Sequence, residues 1–128
     1  MEIDHASIAP WLSVSRGAEA LAYYQAAFGA QQQHYFANES GQIVAQLSVG
    51  GATFWIADDD EFSPETLGGG TARMILTVDD PDAVFRRAVE AGGTIVADMY
   101  EGHGWRLGRI RDPFGHHWEI GRPLPTPQ

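Results

Sequence analysis

The chain has 128 residues, 44% of them hydrophobic, with 17 acidic against 8 basic side chains and a formal charge of -9. That size fits one compact domain with a real core, and the absence of cysteine excludes disulfides, thiolate nucleophiles and zinc–thiolate sites. The acidic balance opposes nucleic-acid phosphates and anionic lipids as partners, and no stretch approaches the roughly 20 apolar residues of a membrane helix.

The N-terminal MEIDHASIAPWLSV carries acids rather than a basic leader, so a cytoplasmic protein is expected, with neither nucleic acid nor membrane as partner. The same negative field either draws in a cationic ligand or simply keeps the chain soluble. Residues 8–14 (IAPWLSV) predict a strand. Residues 17–28 (GAEALAYYQAAF) follow as a helix, with Ala18, Leu21, Ala22 and Phe28 near helical spacing and Gly29 as its stop. Tyr23, Tyr24 and Phe28 form an aromatic stripe expected to pack on a sheet. Strands are predicted at 31–37, at 42–49 with alternating Ile43, Ala45, Leu47 and Val49, and at 52–57 after the Gly50-Gly51 turn.

Residues 58–72 (DDDEFSPETLGGGTA) interrupt this with an acidic run, Pro64 and three glycines, and read as a solvated linker. The order then repeats. Residues 73–78 predict a strand and 81–91 a helix, capped by Asp79 or Asp80, opened by Pro81 and ended by Gly92-Gly93. Strands at 94–100, 105–111 and 116–121 follow, the last two joined by the turn Asp112-Pro113-Phe114-Gly115. The pairs Leu12 and Leu76, Val14 and Val78, Ala27 and Ala91, Gly29 and Gly93, Gly51 and Gly115, and Ile56 and Ile120 are all 64 apart. They fall at equivalent points of strand, helix end and turn, which makes the chain a tandem βαβββ repeat. The organisation expected is one domain over 1–128, with module one at 8–57, the linker at 58–72, module two at 73–121 and a loose tail at 122–128.

This repeat, together with AEALAYYQAAFGA and DPFGHHWEI, resembles the vicinal oxygen chelate superfamily. Within it the chain is most similar to the glyoxalase/bleomycin-resistance/dioxygenase family, in its small bacterial phosphonate-utilisation-protein-like branch. The resemblance spans about residues 8–121. It implies an α+β fold of two βαβββ modules whose curled mixed sheets form troughs around a cavity, and a homodimer, since relatives of this size often complete their cavities across subunits.

Metal-dependent members place His, Gln or Glu on the first and last strand of each module. The motifs carry those positions onto Ala9, Trp55, Arg73 and Glu119, of which Glu119 alone can ligate a metal. His5 lies four residues before the first of them. The resemblance therefore implies a chain without the usual metal site, and no cofactor is expected. Arg73 is expected to pair with Glu119, either as a ligand-binding element or as a purely structural salt bridge.

Alternation along the strands turns Trp11, Ser13, Thr53, Ile75, Thr77 and His117 the same way as those four positions. Trp11 and Trp55 are candidates either to stack on an aromatic or cationic ligand or to fill the trough. Of the adjacent His116 and His117 only one can face the cavity, and His117 is the better candidate. The glycine-flanked Glu101-Gly102-His103-Gly104-Trp105-Arg106 reads as a loop at the cavity mouth, with His103, Trp105 and Arg106 as contacts, or as an ordinary hairpin connection.

The leading functional expectation is a metal-independent small-molecule-binding protein that sequesters an aromatic or cationic compound. One alternative is a lyase, isomerase or dioxygenase with an atypical metal site or with Glu119 and His117 as an acid/base pair. The other is a dimeric module with a vestigial cavity.

Overall fold

A computed structural model describes residue 3 and residues 5–70 and 72–125. The N-terminal positions 1, 2 and 4, linker residue 71 and tail residues 126–128, on which parts of the leader, linker and tail expectations fall, lie outside the described residues. The elements are β1 (Trp11–Val14), α1 (Gly17–Phe28), β2 (Gln31–Ala37), β3 (Ile43–Val49), β4 (Ala52–Asp58), α2 (Pro64–Leu67), β5 (Arg73–Thr77), α3 (Pro81–Glu90), β6 (Thr94–Gly102), β7 (Trp105–Arg111) and β8 (His117–Pro123). They build two four-stranded sheets, ordered β1-β4-β3-β2 and β5-β8-β7-β6. In each sheet the first and last strand of the module pair in parallel and the other contacts are antiparallel. The fold is thus two tandem βαβββ-like modules with open mixed sheets.

The 64-residue repeat is visible in the ladder itself. Trp11 stands opposite Trp55 and Ile75 opposite Glu119, positions that differ by the repeat length. Gly51 and Gly115 hold φ at +90° and +91°, so both hairpin turns use the same left-handed step that only glycine enters freely. Asp80 caps α3 by accepting from the Ala83 amide at 3.2 Å. Gly29 ends α1 at φ +66°.

Five expectations need correction. The first strand starts at Trp11, because Pro10 has no N–H to give the ladder, and Ala9 therefore sits before the strand. The buried side of α1 is Ala20, Tyr23, Tyr24, Ala27 and Phe28, while Ala18 and Ala22 face water and Leu21 is half-buried; the large rings, not the alanine spacing, choose the face. The linker holds the short helix α2, whose Ser63 and Thr66 make a reciprocal cap. Asp58 is no solvated linker acid: it ends β4 and accepts from the Gly17 amide at 2.7 Å and the Ile43 amide at 2.8 Å, which supplies α1 with the N-terminal acceptor that Arg16 lacks. Finally β8 runs on to Pro123, and the Leu124 amide donates to the Gly104 carbonyl at 2.7 Å, so the start of the expected tail is pinned to a turn.

One core serves both modules. Leu12, Val14, Ile43, Ala45, Leu47, Phe54 and Ile56 from the first sheet join Ile110, Trp118 and Ile120 from the second around the two long helices. The Tyr23 hydroxyl donates to the Ala88 carbonyl at 2.9 Å, tying α1 to α3. Tyr24, Phe28, Phe54 and Trp118 pack at centroid separations of 4.7–6.0 Å. No helix among the described residues is long and apolar enough to cross a membrane.

Candidate functional site

With even-numbered residues of β8 and β5 turned to the core, the odd-numbered ones occupy the opposite, open face. Cross-strand pairing arranges them in rows. Arg73, His117 and Arg111 form one row across β5, β8 and β7, and Ile75, Glu119 and Arg109 form the next. Neighbouring members of a row are about 4.8 Å apart, and successive rows are separated by about two residue rises.

A cavity of ≈ 410 Å³ lies on this face, with Arg73, Ile75, Tyr100, His103, Trp105 and Glu119 in its wall. Arg73 Nη1 stands 3.7 Å from Glu119 Oε1, with side chains 48% and 23% exposed. Such a half-exposed pair adds less than about 1 kcal/mol to stability, so it does little to hold the fold. A second groove of ≈ 400 Å³ shares Arg73 and Ile75 and reaches Thr53 of module one. His103 reaches the first cavity from a two-residue hairpin turn in which His103 and Gly104 take φ of +54° and +80°. That is the sign pattern of the primed turns that match strand twist.

Arg73, His103, Trp105 and Glu119 are therefore brought into one cavity. Arg106 is not among them: adjacent strand residues point to opposite faces, and Arg106 turns toward α3, donating to Asp82 through Nε at 2.7 Å and Nη2 at 2.6 Å. Its hydrogen bonds hold the Asp82 carboxyl below the usual carboxylate range. Trp11 and Trp55 lie on the open face of the first sheet, their rings 6.2 Å apart, with His34 stacked on Trp55 at 6.2 Å. Neither indole lines the module-two cavity. His34 comes from β2, whose register shifts between Gln32 and His34, so simple alternation along that strand does not place it.

His116 and His117 diverge. His116 Nε2 lies 2.8 Å from the Ser13 carbonyl and bridges to β1. His117 Nδ1 accepts from Arg109 Nε at 3.2 Å, so a neutral His117 carries its proton on Nε2. Burial and the charges of Arg109, Arg111 and Arg73 lower its pKa below the ordinary 6.5, against an opposing pull from Asp112. The folded chain thus resists a protonation that the unfolded chain accepts, so this contribution to stability is whole above the ordinary histidine value and is lost as pH falls below it. Melting curves between pH 7.5 and 5 are expected to fall less steeply for His117→Gln than for the parent chain, and equal slopes would refute this placement of His117.

The donor set does not fit a metal. The four family positions present a methyl, an indole, a guanidinium and one carboxylate. That carboxylate is met by Arg73 and stands opposite Arg109 on β7, two cations that compete for the charge a divalent ion would need. Among the described residues no three His, Asp or Glu side chains cluster as ligands. Nor is an acid/base pair assembled, since His117 has its free lone pair occupied by Arg109 and Glu119 has its charge met by Arg73.

The model of the Glyoxalase/Bleomycin resistance protein/Dioxygenase superfamily matches residues 2–120. An uncharacterized protein of Mycobacterium bovis is 36% identical over 128 aligned residues, covering 92% of this chain and 84% of its own. TioX from Micromonospora sp. ML1 superposes with a TM-score of 0.74 at 27% identity, covering 94% of this chain and 100% of its own. The fosfomycin resistance protein FosX from Listeria monocytogenes shares the fold at a TM-score of 0.77 and 16% identity, covering 96% of each chain.

Proposed function

The chain belongs to the glyoxalase/bleomycin resistance protein/dioxygenase superfamily, and from that premise we propose that it is a metal-independent protein that binds and sequesters an aromatic small molecule in the cytoplasm. The observation that carries this reading is the ≈ 410 Å³ cavity, in which Tyr100 and Trp105 supply aromatic wall while Arg73 and Glu119 supply polar ends. Binding sites for small molecules have this makeup, an apolar lining with a few placed polar groups. Among the described residues neither a fitting donor set nor a free general base is assembled, which supports a binder over a catalyst.

The test uses a naphthalene series, 2-naphthoate, 2-naphthyl phosphate, 2-naphthamide and 2-naphthylmethylamine, titrated calorimetrically into the protein with and without EDTA. At least one member is expected to bind equally well in both conditions. Trp105→Ala is expected to weaken that binding at least tenfold, the order seen when a buried aromatic contact is truncated. Binding by no member of the series, dependence on a divalent metal, or indifference to Trp105→Ala would each overturn the proposal.

The working unit on this reading is a homodimer. Its support is apolar surface left open on the two sheet faces, with Trp11 56% and Ile75 63% exposed. Sedimentation equilibrium is expected to give twice the 14.0 kDa chain mass, and Ile75→Asp is expected to shift it toward the monomer. A parent chain that sediments as a monomer would refute the assembly.

A further inference from the structure

All 8 basic side chains of this acidic chain are arginines, and three of them, Arg73, Arg109 and Arg111, stand on the open face of the second sheet. The carboxylates nearby do not balance them. Glu119 balances one of the three charges, that of Arg73, at 3.7 Å. Glu65 is held by the Ser15 hydroxyl at 2.7 Å and by Arg16. Asp112 is buried and accepts from Tyr24, Trp118, Phe114 and His116. Among the described residues Arg109 and Arg111 have no carboxylate within ion-pair distance. Arg109 spends its Nε on the His117 imidazole at 3.2 Å, and its two terminal amino groups donate to no protein acceptor among the described residues.

The face also has room for a ligand. The ≈ 410 Å³ cavity borders it at Arg73 and Glu119, and a cavity of ≈ 700 Å³ borders it at Arg111 and His117 and reaches the glycine run Gly68 to Gly70. Arg109 lines neither and stands on β7 between Leu107, in the wall of the first, and Arg111, in the wall of the second. Guanidinium groups present paired N–H donors that match carboxylate and phosphoryl oxygens, and here two from β7 and one from β5 share one face on either side of β8.

We propose that Arg73 and Arg109, with Arg111 adding its charge beyond them, form an oxyanion subsite, which takes the carboxylate or phosphoryl end of an aromatic ligand whose ring lies against Tyr100 and Trp105. This rests on the small-molecule reading above and reverses the charge that the composition of the whole chain suggests: the ligand is an anion, although the protein carries -9. Local geometry decides over net charge because at physiological salt a charge is felt over only about 8 Å. The distant acids are screened and the three guanidiniums are not.

The naphthalene series tests this, since its members share a ring and differ in the charged end. The naphthoate or the naphthyl phosphate is expected to bind at least tenfold tighter than the neutral amide and the cationic amine. That preference is expected to shrink as KCl rises from 50 to 500 mM. The double variant Arg109→Gln, Arg111→Gln should remove most of the tenfold preference while leaving the amide unchanged, and Arg86→Gln, on the exposed side of α3, should change nothing. Equal affinity for all four compounds, still sensitive to Trp105→Ala, would overturn the oxyanion subsite and leave the small-molecule reading standing. Binding by none would overturn both. Preference for the phosphate over the carboxylate, or the reverse, identifies which oxyanion the subsite takes.

Discussion

Replacing Asp112 by alanine is expected to cost at least about 3 kcal/mol and to lower the melting temperature by on the order of 10 °C. The side chain is 2% exposed, and its two oxygens accept four hydrogen bonds. Oδ1 takes the amides of Phe114 at 2.9 Å and His116 at 3.0 Å, which shapes the β7–β8 turn. Oδ2 takes the Tyr24 hydroxyl at 2.5 Å and the Trp118 indole at 2.9 Å, which fastens that turn to α1 across the centre of the core. Burial and the Asp112 carboxylate push the Tyr24 hydroxyl well above its ordinary pKa, so it remains a donor throughout the working pH range. Alanine would strand these donors where water cannot reach them, and each stranded buried group costs about 1–3 kcal/mol. Asparagine would rescue little, because its amide nitrogen would point donors at the Trp118 donor. Tyr24→Phe removes one donor and leaves the carboxylate satisfied by three, so its cost is expected near 1 kcal/mol. Thermal melts of the three variants check the order, and an Asp112→Ala chain as stable as Tyr24→Phe would show that the hub does not carry this weight.

Asp112 also marks where local reading of the sequence stops. Its place in Asp112-Pro113-Phe114-Gly115 identifies a turn, and turn chemistry is local. Its bond to Tyr24 joins residues 88 apart, which no local pattern reveals. Asp58 follows the same logic: it looks like the head of an acidic run, yet it serves as the acceptor for an α1 terminus 41 residues away. The element order was legible because strand alternation, helix stops and turn glycines act over a few residues each, and the Gly51 and Gly115 turns repeat the same backbone conformation. Strand ends were less legible, because Pro10 and Pro123 act through the ladder partners available to them. Pro10 stops β1, while Pro123 still fits the end of β8 opposite Trp105.

The same balance holds at the candidate site. Alternation was enough to put Arg73, Glu119 and His117 on one face, and the pairing Arg73 to His117 and Ile75 to Glu119 agrees with it. Applied with equal strictness to Trp105-Arg106-Leu107-Gly108-Arg109-Ile110-Arg111, it places Trp105, Leu107, Arg109 and Arg111 on the open face and Arg106 against α3. Trp105 and Arg106 are neighbours in sequence yet serve opposite faces, one in the cavity wall and the other against α3. The relation between the tryptophan pair of module one and the arginine face of module two was not legible at all, since it depends on how sheets face each other rather than on any one strand.

The back of β7 carries the last expected result. Gly108 lies on the core side of that strand, and a Cβ there would stand 2.6 Å from Met99 Sδ and 2.7 Å from Phe85 Cε2, closer than packed atoms approach. Phe85 is 5% exposed and wedged between α3 and the sheet, so it has little room to withdraw. Gly108→Ala is therefore expected to destabilise the chain by about 2 kcal/mol, in the range for overpacking a dense core. If the ring is the obstacle, Phe85→Leu should cost less in the Gly108→Ala background than in the parent chain, with a coupling of about 1 kcal/mol between neighbours in direct contact. Additive effects in denaturant melts would show that the strain goes elsewhere. The residues on either side of Gly108 are Leu107 and Arg109, which point to the ligand face. Any shift of β7 away from α3 would move Leu107 in the cavity wall together with the two guanidiniums that β7 carries, Arg109 and Arg111, so Gly108→Ala is also expected to weaken naphthoate binding without touching the ligand.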